Sequence, residues 1–203
     1  MPKTKHHLER SIIKSTHLDG NDPDKEILPE NWPQDVTYLR DLTYTQTVLD
    51  AGLREKLSRA PSSDNDSWVR LASTLPGLGA PCPNVNITTI SEPPSHPAMG
   101  QRGLFAATHL PPDTFIILYL GQVHTNSLSD TNPHSDYDLS LDRELGLSAD
   151  ADKCGNESRC ANDYRGIAER PNAEFRDCFV QVPSDKRAEG VKWERRVGIF
   201  VLP

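Results

Sequence analysis

Beyond Gly100 the apolar residues of this 203-residue chain come only in short runs: LFAA at 104–107, TFIILYL at 114–120, YDLSL at 137–141, AEFRDCFV at 173–180 and VGIFV at 197–201. Turn chemistry separates them, notably LPPDT at 110–114, and no helix-length amphipathic segment lies between them. A βαβ sheet needs such a segment at every crossover, so the pattern predicts a mainly β fold of several small sheets. Upstream, Pro76, Pro81, Pro83, Pro93, Pro94 and Pro97 exclude a long helix over 76–99, where VNITTI at 85–90 has the composition of one edge strand.

The first third reads differently. Residues 1–34 mix charges with Asn, Asp and Pro without a sustained period and are expected to be disordered, with Trp32 as a docking point. From Asp35, Leu39, Leu42, Leu49, Leu53 and Leu57 fall within one arc at 100° per residue, which predicts an amphipathic helix over roughly 35–59. Trp68, Leu71 and Leu75 predict a short second helix ended by Pro76. The expected organisation is a disordered region at 1–34, a helical extension at 35–75, a Pro-rich linker at 76–99 and one main domain at 100–203.

Composition narrows the function classes. Hydrophobic residues make up 35% and the formal charge is −7, with 10 basic and 13 acidic side chains in residues 1–99 against 12 and 16 in 100–203. An acidic balance spread this evenly argues against direct nucleic-acid binding and suits a basic protein partner. No apolar run is long enough for a membrane span or signal peptide, so an intracellular protein, nuclear or cytoplasmic, is expected. Cys82, Cys154, Cys160 and Cys178 lack paired CxxC spacing and the seven histidines form no HExxH, so free thiols and no metal are expected.

Three stretches resemble the SET-domain protein-lysine methyltransferases. GQRGLFAATHLPPDTFIILYLG at 100–121 is similar to the opening of that domain, with Gly100 and Gly103 spaced GxxG where the family has GxG. ADADKCGNESRCANDYRGIAERPNAEF at 149–175 matches five family elements in order: Asp150–Ala151, Gly155–Asn156, Arg159, Asn162 and Pro171–Asn172. RRVGIFV at 195–201 resembles the strand after the last element. Departures are Asp163 where the family has His, Cys160 and Ala161 where it has larger apolar residues, and the insertion DYRGIAER.

The resemblance implies a SET-like fold, S-adenosylmethionine as cofactor, and methyl transfer to a lysine-bearing protein, a histone or another basic protein, by a monomer. It implies cofactor contacts from Arg102, Gly103, Leu104, Tyr137, Asn162 and Asp163. Local chemistry leaves alternatives open: an ordinary β-turn at 100–104, a core tyrosine at 137 and a turn-capping amide at 162. The family's catalytic tyrosine lies in a segment after the strand at 197–201, and no residue here matches it, so no catalytic residue is assigned and a C-terminally truncated member is expected. A working enzyme completed by another group, the product of a shortened gene, and a non-catalytic SET-like interaction protein binding through the leucine face at 35–59 are the competing readings.

Overall fold

The computed structural model describes residues 27–58, 68–75, 77–78, 81–182 and 192–203; of the disorder expected over 1–34, the part at 1–26 lies outside that set. In chain order the elements are β1 (Thr37–Tyr38), β2 (Thr43–Tyr44), α1 (Gln46–Asp50), α2 (Leu53–Leu57), β3 (Val69–Leu71), β4 (Val85–Thr89), β5 (Arg102–Ala106) and β6 (Phe115–Leu118). Then come β7 (Gln122–Thr125), β8 (Asp138–Asp142), β9 (Leu147–Asp150), β10 (Cys154–Gly155), a 3-10 turn (Glu157–Cys160), β11 (Ala173–Val182) and β12 (Lys192–Val201). Among the described residues the fold is mainly β and built from four small sheets, ordered β3-β11-β12-β6, β2-β7-β9-β8, β4-β5 and β1-β10.

The long β11–β12 pair, in register from Ala173 opposite Val201 to Val182 opposite Lys192, is the spine. Its buried Val180, Val197 and Phe200 are β-branched or aromatic, the residues that best cover a half-buried pleat, and they join the main core with Leu118, Leu120, Val123 and Leu147. A second cluster packs Trp32, Val36, Tyr38, Ile87 and Cys160, so Trp32 is docked. All four cysteines are free thiols.

The helix expected over 35–59 is replaced by β1, β2, α1 and α2. The stretch is rich in β-forming residues, Thr37, Tyr38, Thr43 and Tyr44, and these pair in parallel with β10 and β7. Thr45 caps α1 by accepting the Val48 N–H, and Gly52, at φ 60°, ends that turn before α2. The leucine arc was a coincidence of spacing: Leu39 and Leu42 are buried from non-helical backbone, whereas Leu49 is 42% exposed. The short helix expected at 68–75 is likewise a strand, β3, parallel to β11, and Leu75 is exposed. Trp68 lies against Phe179, with the Arg195 guanidinium 4.5 Å from its ring centre. VNITTI does form an edge strand, β4, antiparallel to β5. Segments at 37–44 and 69–71 are thereby built into the sheets of 115–201.

One ionic cluster sits inside this packing. Arg196, 1% exposed, lies 2.8 Å from Glu194 and 3.1 Å from Asp41, and the Tyr44 hydroxyl donates to Glu194 at 2.8 Å. It ties β12 to β2 and to the turn before it.

Candidate functional site

The stretch 149–175 works as a set of struts before it works as a wall. Asp150 accepts from the Ser135 hydroxyl at 2.6 Å and from the Asp152 N–H at 2.8 Å, and Ser135 in turn accepts the Tyr137 N–H. Asn156, 3% exposed, donates to the Leu118 carbonyl at 2.9 Å and accepts from the Ser158 hydroxyl at 2.6 Å and from the Leu120 N–H at 3.4 Å. The chain passes so close here that a Cβ on Gly121 would lie 2.5 Å from the Asp150 carbonyl oxygen, so that position has no room for a side chain. Arg159 donates from Nε to the Ala151 carbonyl at 2.8 Å and from Nη2 to the Asp152 carbonyl at 3.3 Å, and its guanidinium lies over the Tyr137 ring. Leu202 N–H donates to the Asn172 carbonyl, closing the last element onto the end of β12.

These struts surround a cleft of about 320 Å³, the size of a small-ligand pocket. Arg102 from β5, Tyr137 from the turn before β8 and Asn162 from beyond the 3-10 turn all line it. The Asn162 amide donates to the Arg102 carbonyl at 3.2 Å and to the Cys160 carbonyl at 3.2 Å, so it joins two stretches far apart in sequence and also caps its own turn. Its carbonyl oxygen has no hydrogen-bond donor among the described residues.

Sequence reasoning missed several of the walls. Tyr119 donates from its hydroxyl to the Tyr137 carbonyl at 2.6 Å, and burial first, with Asp150 nearby, drives its pKa well above the usual range, so it stays a donor. Phe175 crosses Tyr119 edge-on at 5.7 Å. Asp136 and Asp138 supply carboxylates to the rim, and Asp138 is held 3.1 Å from His124 Nε2. Arg159 stood in the sequence as a motif element without a role. The apolar run TFIILYL marked Tyr119 as a strand residue, but nothing local marks Phe175 or the two aspartates.

The remaining expected residues lie elsewhere. Gly103 is buried in β5, where a Cβ would meet the far edge of the exposed Phe105 ring at 2.6 Å and Ile90 Cδ1 at 3.2 Å. Leu104 and Asp163 line a second, more apolar cleft of about 870 Å³, which shares Ala161, Asn162 and Phe175 with the first. Asp163 is exposed and bound to the Arg165 N–H and guanidinium; the backbone bond from Arg165 above all lowers its pKa. Its carboxylate therefore faces its own turn. Among the described residues no group of His, Cys, Asp and Glu has a metal-ligating arrangement, and no described helix is long and apolar enough to cross a membrane.

No family model matches the chain, and no curated protein does. Among solved structures it is similar to Chaetomium thermophilum Polycomb Repressive Complex 2 bound to an inhibitor, at 21% identity and a TM-score of 0.40 over 58% of this chain and 14% of that one. ctPRC2 in an autoinhibited conformation bound to S-adenosylmethionine gives 23% identity and a TM-score of 0.39 over 53% and 12%. KRYPTONITE in complex with mCHH DNA, an H3(1-15) peptide and SAH gives 16% identity and a TM-score of 0.47 over 82% and 38%. The chain thus spans well under half the length of each of these proteins.

Proposed function

We propose that the chain carries a SET-type site for S-adenosylmethionine and belongs to a protein-lysine methyltransferase acting on a basic protein such as a histone. The observation that carries this reading is convergence. Arg102, Tyr137 and Asn162, drawn from three separate stretches of which two carry the quoted motifs, line one cleft, and the Asn162 amide bonds the Arg102 backbone.

The donor set fits such a cofactor. Arg102, whose Nε donates to the Asn31 carbonyl at 2.9 Å, and Arg159 are the cations of the cleft for a carboxylate, Tyr137 and Phe175 are its rings for a purine or a sulfonium, and the free Asn162 carbonyl oxygen accepts from an amine. When bound, the cofactor supplies an electrophilic methyl group, and the chain supplies alignment. A lysine amine, of ordinary pKa about 10.4, must shed a proton to attack, and enclosure between Tyr119, Tyr137 and Phe175 favours the neutral form by desolvation. Asp136 and Asp138 at the rim attract the incoming ammonium before that step.

Isothermal titration of S-adenosylmethionine into the chain tests the site. One-site binding is expected, weakened about tenfold by Arg102→Ala, the scale of one lost charge-assisted contact. Absence of binding by a folded chain would contradict it, as would binding untouched by that substitution.

A further inference from the structure

Strand β4 has a second edge, and it opens on a different cleft. Ile90 donates to the Gln101 carbonyl at 2.8 Å and accepts from the Gly100 N–H at 2.9 Å, and the Asn84 carbonyl accepts from the Ala107 N–H at 2.9 Å. With the two-residue period of a strand, the backbone groups of Asn84, Asn86, Thr88 and Ile90 face β5, and those of Val85, Ile87 and Thr89 face the other way. No described strand pairs on that side. Asn31 shows what the edge accepts: its amide donates to the Ile87 carbonyl at 2.8 Å, as a neighbouring strand would.

The edge borders a cleft of about 500 Å³ that shares no lining residue with the cofactor cleft. Glu157 closes its inner end. This side chain is 2% exposed, with one carboxylate oxygen accepting the Cys82 N–H at 2.8 Å and the other the Tyr38 hydroxyl at 3.0 Å. Among the described residues no Lys, Arg or His pairs with it. Two neutral donors satisfy only part of what a buried carboxylate loses with its water, and each oxygen keeps a further lone pair. Glu30 on the same cleft adds a second, exposed carboxylate.

We propose that this cleft docks an extended basic peptide of a partner protein, which adds as a strand along the outer edge of β4 and places one Lys or Arg side chain against Glu157. The edge supplies main-chain affinity through its groups beyond the Val85 N–H, which donates to the Cys82 carbonyl at 3.4 Å, with the peptide taking the Ile87 carbonyl from Asn31, and the buried carboxylate supplies selection for a cation. The proposal does not depend on methyl transfer, since its residues lie outside the cofactor cleft.

The test is an amide-resolved NMR titration of the full chain with the acetylated, amidated peptide TVKVT and with its counterpart carrying norleucine in place of lysine. The lysine peptide is expected to shift the Ile87 and Thr89 amides and to bind at least tenfold more tightly than the norleucine peptide, and Glu157→Gln is expected to abolish that difference. Equal binding of the two peptides by the unaltered chain overturns the proposal, and so does no binding, or shifts confined to Arg102, Tyr137 and Asn162. The peptide pair reads the unaltered protein, so the test stands even if Glu157→Gln fails to fold.

Discussion

The Arg159 guanidinium carbon lies 4.2 Å from the centre of the Tyr137 ring while the same group donates to the carbonyls of Ala151 and Asp152. One planar fork therefore fixes the turn after β9 and holds an aromatic wall of the candidate site. Lysine cannot reproduce both roles, since it is a point charge without the fork. Arg159→Lys is expected to cost about 1–3 kcal/mol, from the lost hydrogen bonds and ring contact. Urea unfolding followed by tryptophan fluorescence measures it; a midpoint unchanged from the parent chain would count against this role.

Asn156 uses its amide on buried partners, donating to the Leu118 carbonyl and accepting from the Leu120 N–H and the Ser158 hydroxyl. Replacing it with Ala strands a carbonyl and an N–H of the core, at about 1–3 kcal/mol each. Asn156→Ala should therefore lower stability by roughly 2–4 kcal/mol, and Asn156→Asp by more, because it sets a carboxylate against the Leu118 carbonyl. Equilibrium urea unfolding of both variants decides the order.

Removing Arg196 leaves the buried Glu194 carboxylate with the Tyr44 hydroxyl and no cation against it. Arg196→Met is expected to cost about 3–5 kcal/mol, and combining it with Glu194→Leu should recover much of that loss. A double-mutant cycle by thermal unfolding would contradict this if the two losses simply add.

Asp130 links the end of β7 to the cap of α1, accepting the Thr125 N–H at 2.8 Å and the hydroxyls of Thr125 and Thr45. Burial pulls its pKa upward, but these hydrogen bonds outweigh it and the net shift is downward. A carboxylate held below its ordinary value of about 3.9 contributes stability above that pH and loses it as pH falls through the lower folded value. Asp130→Asn should thus be less stable than the parent at pH 7 and show a shallower decline below about pH 4. Thermal unfolding across pH 7 to 2 checks both parts.

The legible part of the chain is where local chemistry and final structure agree. The runs at 104–107, 114–120, 137–141, 173–180 and 197–201 all overlap strands, because their β-branched and aromatic residues cover pleated surfaces. Strands β1, β2, β7 and β10 were not legible, since two-to-four-residue strands carry no period and form only through partners far along the chain, as Thr37 with Cys154. At the site, the family resemblance pointed to Arg102, Tyr137 and Asn162, whereas Phe175 and Asp136 depend on long-range packing. The leucine spacing at 35–59 misled because a helical arc in sequence says nothing of which leucines find a core.

The most direct test of the central claim is a chemical-shift titration with S-adenosylmethionine. Saturable shifts at Arg102, Tyr137, Asn162 and Phe175, with Glu157 and Ile87 unmoved, are the predicted result. No shifts in the folded chain, or shifts confined to residues outside that cleft, would contradict it.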